Sequence, residues 1–182
     1  MRVFIIGIIL LGCNELVAQE RIFESRSLNI GYVSDRYSKG FLLGIERGGF
    51  GVGSLVPFAG LEVRGAMNKQ TSNVGLSLYL GQKWLTKTGI FIEHQIGLGL
   101  QLNRYVNGSL IIDSNRSVEQ PSWRLAFRPH AGLGIGYDFS AKNRAPLALY
   151  VRPGINLVVP DQNLVFKTSG FLQMGVLMNI SN

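Results

Sequence analysis

Cysteine is almost absent from this chain, since Cys13 is the one cysteine in 182 residues. A disulfide-stapled mini-domain is therefore excluded, because such scaffolds carry several paired cysteines. Charge is also scarce, at 16% of the residues, whereas a soluble domain has about a quarter. After residue 20, no apolar run reaches the roughly 20 residues that a membrane-spanning helix needs. Glycine, by contrast, is abundant at 23 residues, which leaves a soluble all-β domain or a transmembrane barrel of alternating strands.

The N-terminus has the layout of a secretory signal peptide over residues 1–18. A positive start precedes the apolar run 3–12, and a small residue, Ala18, follows the break in that run. We predict that this signal peptide directs export of the chain and is cleaved after Ala18 or Gln19. The alternative is a lipoprotein box in which Cys13 becomes the lipidated N-terminus.

The mature chain, residues 19–182, reads as one domain of strands separated by turn signals. Several strands exceed the ~5–6 residues usual in globular proteins, and they suit the ~9–11 residues of a tilted membrane-spanning strand. We expect bulges at Pro129 and Pro153, because proline cannot donate to a strand ladder. The eight predicted strands cover about 27–34, 40–50, 57–67, 73–84, 89–104, 123–139, 146–159 and 168–180.

Side chains in these strands alternate between large apolar residues and small or polar ones. In the fifth strand, Ile96 and Leu98 lie on one face, and Gly97 and Gly99 lie on the other. A water-facing surface would be rich in charged residues, whereas small residues inside a narrow barrel leave room for a few long polar side chains. We therefore predict that the apolar face contacts lipid and that the small and polar face lines a lumen.

Two further features fit a membrane barrel. The longest connection, 105–122, falls on the side that the strand order predicts to be extracellular. Its apolar segment 110–112 is either a partner-binding patch or part of a hairpin that extends the flanking strands. Aromatic residues also lie near strand ends, as in the girdles at membrane interfaces: Trp84, Trp123, Tyr137 and Phe139.

This pattern over residues 27–180 resembles the small OmpA/OmpX-type outer-membrane barrels. The resemblance implies an all-β, antiparallel, up-and-down transmembrane β-barrel of about eight strands in the outer membrane of a Gram-negative bacterium. It implies contact with outer-membrane lipid and lipopolysaccharide, insertion by the barrel-assembly machinery, a monomeric state and no nucleic-acid partner. The chain departs from many such barrels in ending at Asn182 rather than at an aromatic residue.

The predicted lumen face collects the charged residues of the strands. Buried charges need partners, so we predict a salt-bridge network that fills the lumen, with Glu46 expected to join it. A narrow, anion-preferring pore is the alternative. The predicted members of this lumen charge network are Glu62, Arg64, Lys83, Glu93, Arg124, Arg128, His130 and Arg152.

No catalytic, cofactor or metal site is predicted. His94 lies on the apolar face and His130 among arginines, and neither stands in a motif with the serine and acid of a triad. The glycines at 132, 134 and 136 continue a strand instead of opening a helix, so they do not form a phosphate loop. We expect a structural or loop-mediated role. The alternatives are a pore, a soluble lipocalin-like ligand binder and a barrel enzyme that modifies lipid A.

Overall fold

The structure is a computed structural model. It describes residues 26–36, 38–49, 54–69, 71–105, 110–113, 116–119, 123–140, 145–159 and 166–180. The signal peptide and both of its predicted processing sites lie outside these residues and stay predictions. Across the described residues, no helix has the length and apolar character needed to cross a membrane.

The described residues are organised as antiparallel strands. A small sheet contains β6 and β7, which pair with each other within the connection between β5 and β8. All other strands belong to one large sheet. In chain order the strands are β1 (Arg26–Asp35), β2 (Lys39–Gly48), β3 (Leu55–Met67), β4 (Thr71–Leu85), β5 (Ile90–Tyr105), β6 (Leu110–Asp113), β7 (Arg116–Glu119), β8 (Trp123–Phe127), β9 (His130–Asp138), β10 (Leu147–Val158) and β11 (Lys167–Asn179).

The large sheet closes into a barrel. Each strand pairs with its neighbours in sequence, β1 pairs with β11, and β8 and β9 share one position because both pair with β5. Closure removes the sheet edge, so the strands satisfy one another's backbone groups without water. The predicted barrel of eight antiparallel strands is confirmed, with the sixth strand divided into β8 and β9.

The strands are staggered around the barrel. From Asp35, the pairings lead in turn to Phe171, Gly154, Gly132, Gln95, Gly81, Phe58 and Gly48. Gly48 lies one residue beyond Arg47, the partner of Arg26. The circuit therefore returns to β1 about ten residues from its start, and a stagger of this kind tilts the strands of a closed barrel.

The bulges expected at the two prolines do not occur in the described pairings. The same register pairs Gly97 with His130 and Leu100 with Phe127, on either side of Pro129. Pro153 likewise pairs in register with β11. A bulge needs an extra residue on one strand, whereas each proline here removes one donor and adds no residue.

The two ends of the barrel differ. The terminal end, where β1 begins and β11 ends, has the connections 49–54, 86–89 and 139–146. The loop end has the connections 36–38, 68–70, 106–122 and 159–166. The longest connection is therefore at the opposite end of the barrel from the termini, as the strand order predicted.

The interior and the exterior are inverted relative to a soluble protein. Leu78 on β4 is 65% exposed, whereas Lys83 on the same strand and Arg152 on β10 are fully buried. Charged residues are almost never fully buried in soluble proteins unless they are paired. An apolar exterior around a polar interior is the arrangement that membrane barrels adopt.

Candidate functional site: the charged network inside the barrel

Glu93 is the centre of one group of buried charges. Arg152 donates from Nε and Nη2 to Glu93 Oε1, at 2.8 Å and 2.5 Å. Lys83 Nζ lies 3.6 Å from Glu93 Oε2 and also pairs with Glu46. The strands bring these residues together from β2, β4, β5 and β10, so one ionic group ties distant parts of the barrel to each other.

A second group lies around Glu62. Arg128 Nη2 is 3.9 Å from Glu62 Oε1 and donates to Ser77 Oγ at 3.2 Å. Gln173 Nε2 is 3.5 Å from Glu62 Oε2 and donates to the Tyr150 hydroxyl at 3.0 Å. Glu62 therefore links β3 to Arg128, which lies between β8 and β9, and to Gln173 on β11.

Tyr150 connects the two groups. Its hydroxyl donates to Asn29 Oδ1 at 2.7 Å, and its ring lies 4.6 Å from the Arg152 guanidinium. Lys83 Nζ is likewise 4.4 Å from the centre of the Phe58 ring. Aromatic faces stabilise desolvated cations, so rings and carboxylates share the coordination of the buried positive charges.

Apolar clusters also lie inside the barrel, one toward each of its ends. Val56, Phe91 and Ala148, each the second residue of its strand, pack with Tyr150 and Leu177 at the terminal end. Val33, Leu42 and Phe171 pack together near the loop end. The described lumen is thus filled by apolar clusters as well as by charged and polar side chains.

Inward glycines make this packing possible. A Cβ on Gly134 would come 2.7 Å from Glu93 Oε1, and one on Gly60 would collide with the Tyr79 ring. The lumen face is rich in glycine because long side chains on the neighbouring strands occupy the space that other residues would fill.

The structure places the predicted network residues on the lumen side of the barrel. Arg124 differs from the rest. It is half-buried at the loop end, in register with Asn103, and does not belong to the ion pairs described above. The buried members are Glu62, Arg64, Lys83, Glu93, Arg128, His130 and Arg152, together with Glu46.

Sequence reasoning missed three polar members of the network: Asn29, Tyr150 and Gln173. All three are buried on lumen-facing positions. The signal that identifies them is the same alternation that identified the charged residues, because each lies two residues along its strand from another inward side chain.

The two histidines lie apart from any serine–acid pair in the described part of the chain. The His130 ring packs edge-on against Phe171, with centroids 6.3 Å apart, and neither of its nitrogens has a hydrogen-bond partner there. His94 is on the outer face, with its ring 5.1 Å from that of Trp84. The same described residues contain no group of three His, Cys, Asp or Glu side chains able to hold a metal.

The predicted interface aromatics lie at both ends of the barrel. Trp84, Tyr137 and Phe139 are at the terminal end, where the last two rings meet edge to face at 5.0 Å. Trp123 is at the loop end, with the Arg104 guanidinium 5.5 Å from its ring. Trp84 and Trp123 are 43% and 49% exposed on the outer surface.

Comparison with known proteins gives structural relatives. No protein-family model matches the chain, and no curated protein matches it. The crystal structure of Neisserial surface protein A is similar at 15% sequence identity, with a TM-score of 0.50 over 86% of this chain and 95% of that one. The Yersinia pestis outer membrane protein Ail, in a phospholipid bilayer nanodisc, aligns at 12% identity and a TM-score of 0.40, over 85% of this chain and 99% of that one. The closed ring of eight strands and its likeness to the Neisserial protein show that this chain has the fold of the small outer-membrane β-barrels.

Proposed function

We propose that this chain is a monomeric outer-membrane barrel of a Gram-negative bacterium, with a structural role or one exerted through its loops. Its lumen is filled by the charged network and does not conduct ions. The observation that carries the proposal is the pairing of an apolar outer surface with an interior of ion-paired charges. Such a molecule is soluble in a bilayer and closed along its axis.

The distribution of exposed charge supports the membrane location. Between the strand ends, the outer face is dominated by apolar side chains such as Leu43, Leu78, Leu98 and Leu133. Charged side chains at a bilayer midplane are costly. Within the described ranges, every charged residue with an exposed side chain lies at a strand end or in a turn: Arg26, Arg36, Lys39, Arg47, Lys69, Lys87 and Arg104.

The filling of the lumen supports a role other than transport. An eight-stranded barrel is wide enough for side chains to fill its interior. Here Arg152, Lys83, Glu93 and Phe91 have no exposed surface. The paired charges are held by fixed partners, so an entering ion would have to displace both these pairs and an apolar cluster. Among the described residues, the same packing argues against a lipocalin-like ligand in the lumen.

The partners follow from the location. Outer-membrane lipid and lipopolysaccharide would cover the apolar outer face, and the barrel-assembly machinery would insert the chain. The β6–β7 hairpin at the loop end would project from the membrane, where a loop-mediated contact with another molecule would form. No cofactor enters this proposal.

Two measurements test the proposal. The isolated outer-membrane fraction is run in SDS with and without boiling, and we expect a heat-dependent shift in mobility, because a closed barrel resists SDS until it is heated. The purified protein is then placed in a planar bilayer, where we expect no stable unit conductance. Protein found in the soluble fraction without a shift would contradict the membrane barrel. A regular conductance that changes in Glu62→Gln or Arg128→Gln would contradict the closed lumen.

A further inference from the structure

Two arginines lie side by side on the outer surface at the terminal end. Arg26 of β1 and Arg47 of β2 are directly opposite each other in the strand register, and both are exposed. Like charges at directly opposed positions destabilise a sheet. Among the described residues neither has an ion-pair partner, and the acidic residues of β2 and β3, Glu46 and Glu62, are buried on the lumen side. Among the described residues, no acidic side chain therefore neutralises these two positive charges.

A shallow apolar groove begins at Arg47. It runs from the end of β2 over β3 to β4. Its other lining residues are the small or cyclic Gly48, Gly49, Pro57 and Ala59, with Phe58, and Leu80 on the far side. Ala59 is the register partner of both Arg47 and Leu80. The groove is thus continuous with the arginine pair and lies on the surface that contacts lipid.

The height of this groove matches a membrane interface. Trp84 and Tyr137, which are amphipathic residues of the kind found at headgroup level, lie at the same end of the barrel. An acyl chain in the groove would extend from this level toward the apolar band, and its headgroup would meet the two guanidinium groups.

From this geometry we propose that Arg26, Arg47 and the adjoining groove bind one anionic glycerophospholipid, such as phosphatidylglycerol, at the terminal end of the barrel. The guanidinium groups hold the phosphate, because arginine pairs with phosphate through parallel N–H donors. The small residues hold one acyl chain against the barrel. The inference rests on the proposed membrane location, since the groove meets lipid only if the barrel spans a bilayer.

The test compares lipid retention in purified barrels. Native mass spectrometry of the protein in micelles with equal amounts of phosphatidylglycerol and phosphatidylcholine counts the lipids that remain bound. We expect the wild type to prefer phosphatidylglycerol, and Arg47→Gln and Arg26→Gln each to weaken that preference about fivefold, the size of one basic contact with an anionic surface.

The matched control is Lys39→Gln. Lys39 is exposed on the same face of β2 as Arg47, at the loop end, so its loss should leave the preference unchanged. Ala59→Leu fills the groove without altering charge and should lower lipid retention. Equal retention of the two lipids by the wild type, equal effects of Lys39→Gln and Arg47→Gln, or normal retention in Ala59→Leu would each overturn the site.

The heat-dependent gel shift separates this inference from the proposed function. A chain that shows the shift but no lipid preference would overturn the phospholipid site alone. A wild-type chain that shows no shift in any lipid would overturn the membrane barrel and the site with it.

Discussion

Arg152 and Glu93, 59 residues apart in sequence, form a fully buried ion pair with two hydrogen bonds to the same carboxylate oxygen. The other oxygen of Glu93 faces Lys83. Removing only one partner of such a buried pair destabilises the fold strongly, because the other charge is left desolvated and unpaired. The stability of the barrel therefore depends on the completeness of the network.

The first prediction concerns this pair. Arg152→Met should lower the free energy of unfolding by about 3–5 kcal/mol, since it removes the main partner of a buried carboxylate. Combining it with Glu93→Gln should cost less than the sum of the single changes, because the two residues interact directly. Urea titration in lipid vesicles, followed by tryptophan fluorescence, measures both. Lys39→Met at the exposed end of β2 is the control, and a loss below about 1 kcal/mol for Arg152→Met would contradict the network.

The second prediction concerns the assignment of faces. Leu98 is 59% exposed on the outer surface, whereas Gly99 is buried, and a Cβ there would lie 3.0 Å from the carbonyl oxygen of Leu76. Leu98→Arg should cost about 2–4 kcal/mol in a bilayer. Gly99→Arg should instead prevent closure of the barrel and abolish the heat-dependent gel shift. A harmless Leu98→Arg would show that this face does not meet hydrocarbon.

The third prediction compares two glycines on β3. A Cβ at Gly60 collides with the Tyr79 ring, whereas one at Gly65 meets nothing within 4 Å. Gly60→Val should therefore destabilise the barrel by about 1–3 kcal/mol through overpacking. Gly65→Val, on the outer face, should leave stability within about 0.5 kcal/mol. Equal unfolding midpoints for the two variants would mean that the lumen is looser than the described contacts require.

The fourth prediction tests the alternative that the chain is a barrel enzyme that modifies lipid A. Expression of the chain should leave the mass spectrum of lipid A unchanged, because neither His94 nor His130 has a serine or carboxylate partner among the described residues. The control is an empty vector in the same strain. A new lipid A species that disappears in His130→Ala or His94→Ala would reverse this conclusion.

The fold was predictable from the sequence because strand side chains alternate with a period of two. Ile96 and Leu98 alternate with Gly97 and Gly99, and this repetition indicated both the strands and the two faces of the sheet. The predicted strands agree with the observed ones to within a few residues, and the eight-stranded barrel is confirmed. Local sequence carries this information because alternation is a property of each strand by itself.

The pairing inside the lumen was decided by the tertiary structure. Alternation put Arg124 and Arg152 on the same predicted face, yet Arg152 meets Glu93 deep inside the lumen while Arg124 is half-buried at the loop end. Tyr150 and Asn29 bond across 121 residues of sequence. The position of each of these side chains along the barrel axis depends on the total stagger around the closed barrel, and the register of every strand pair contributes to that stagger. The sequence by itself thus determined which side chains point inward, and barrel closure determined which of them meet.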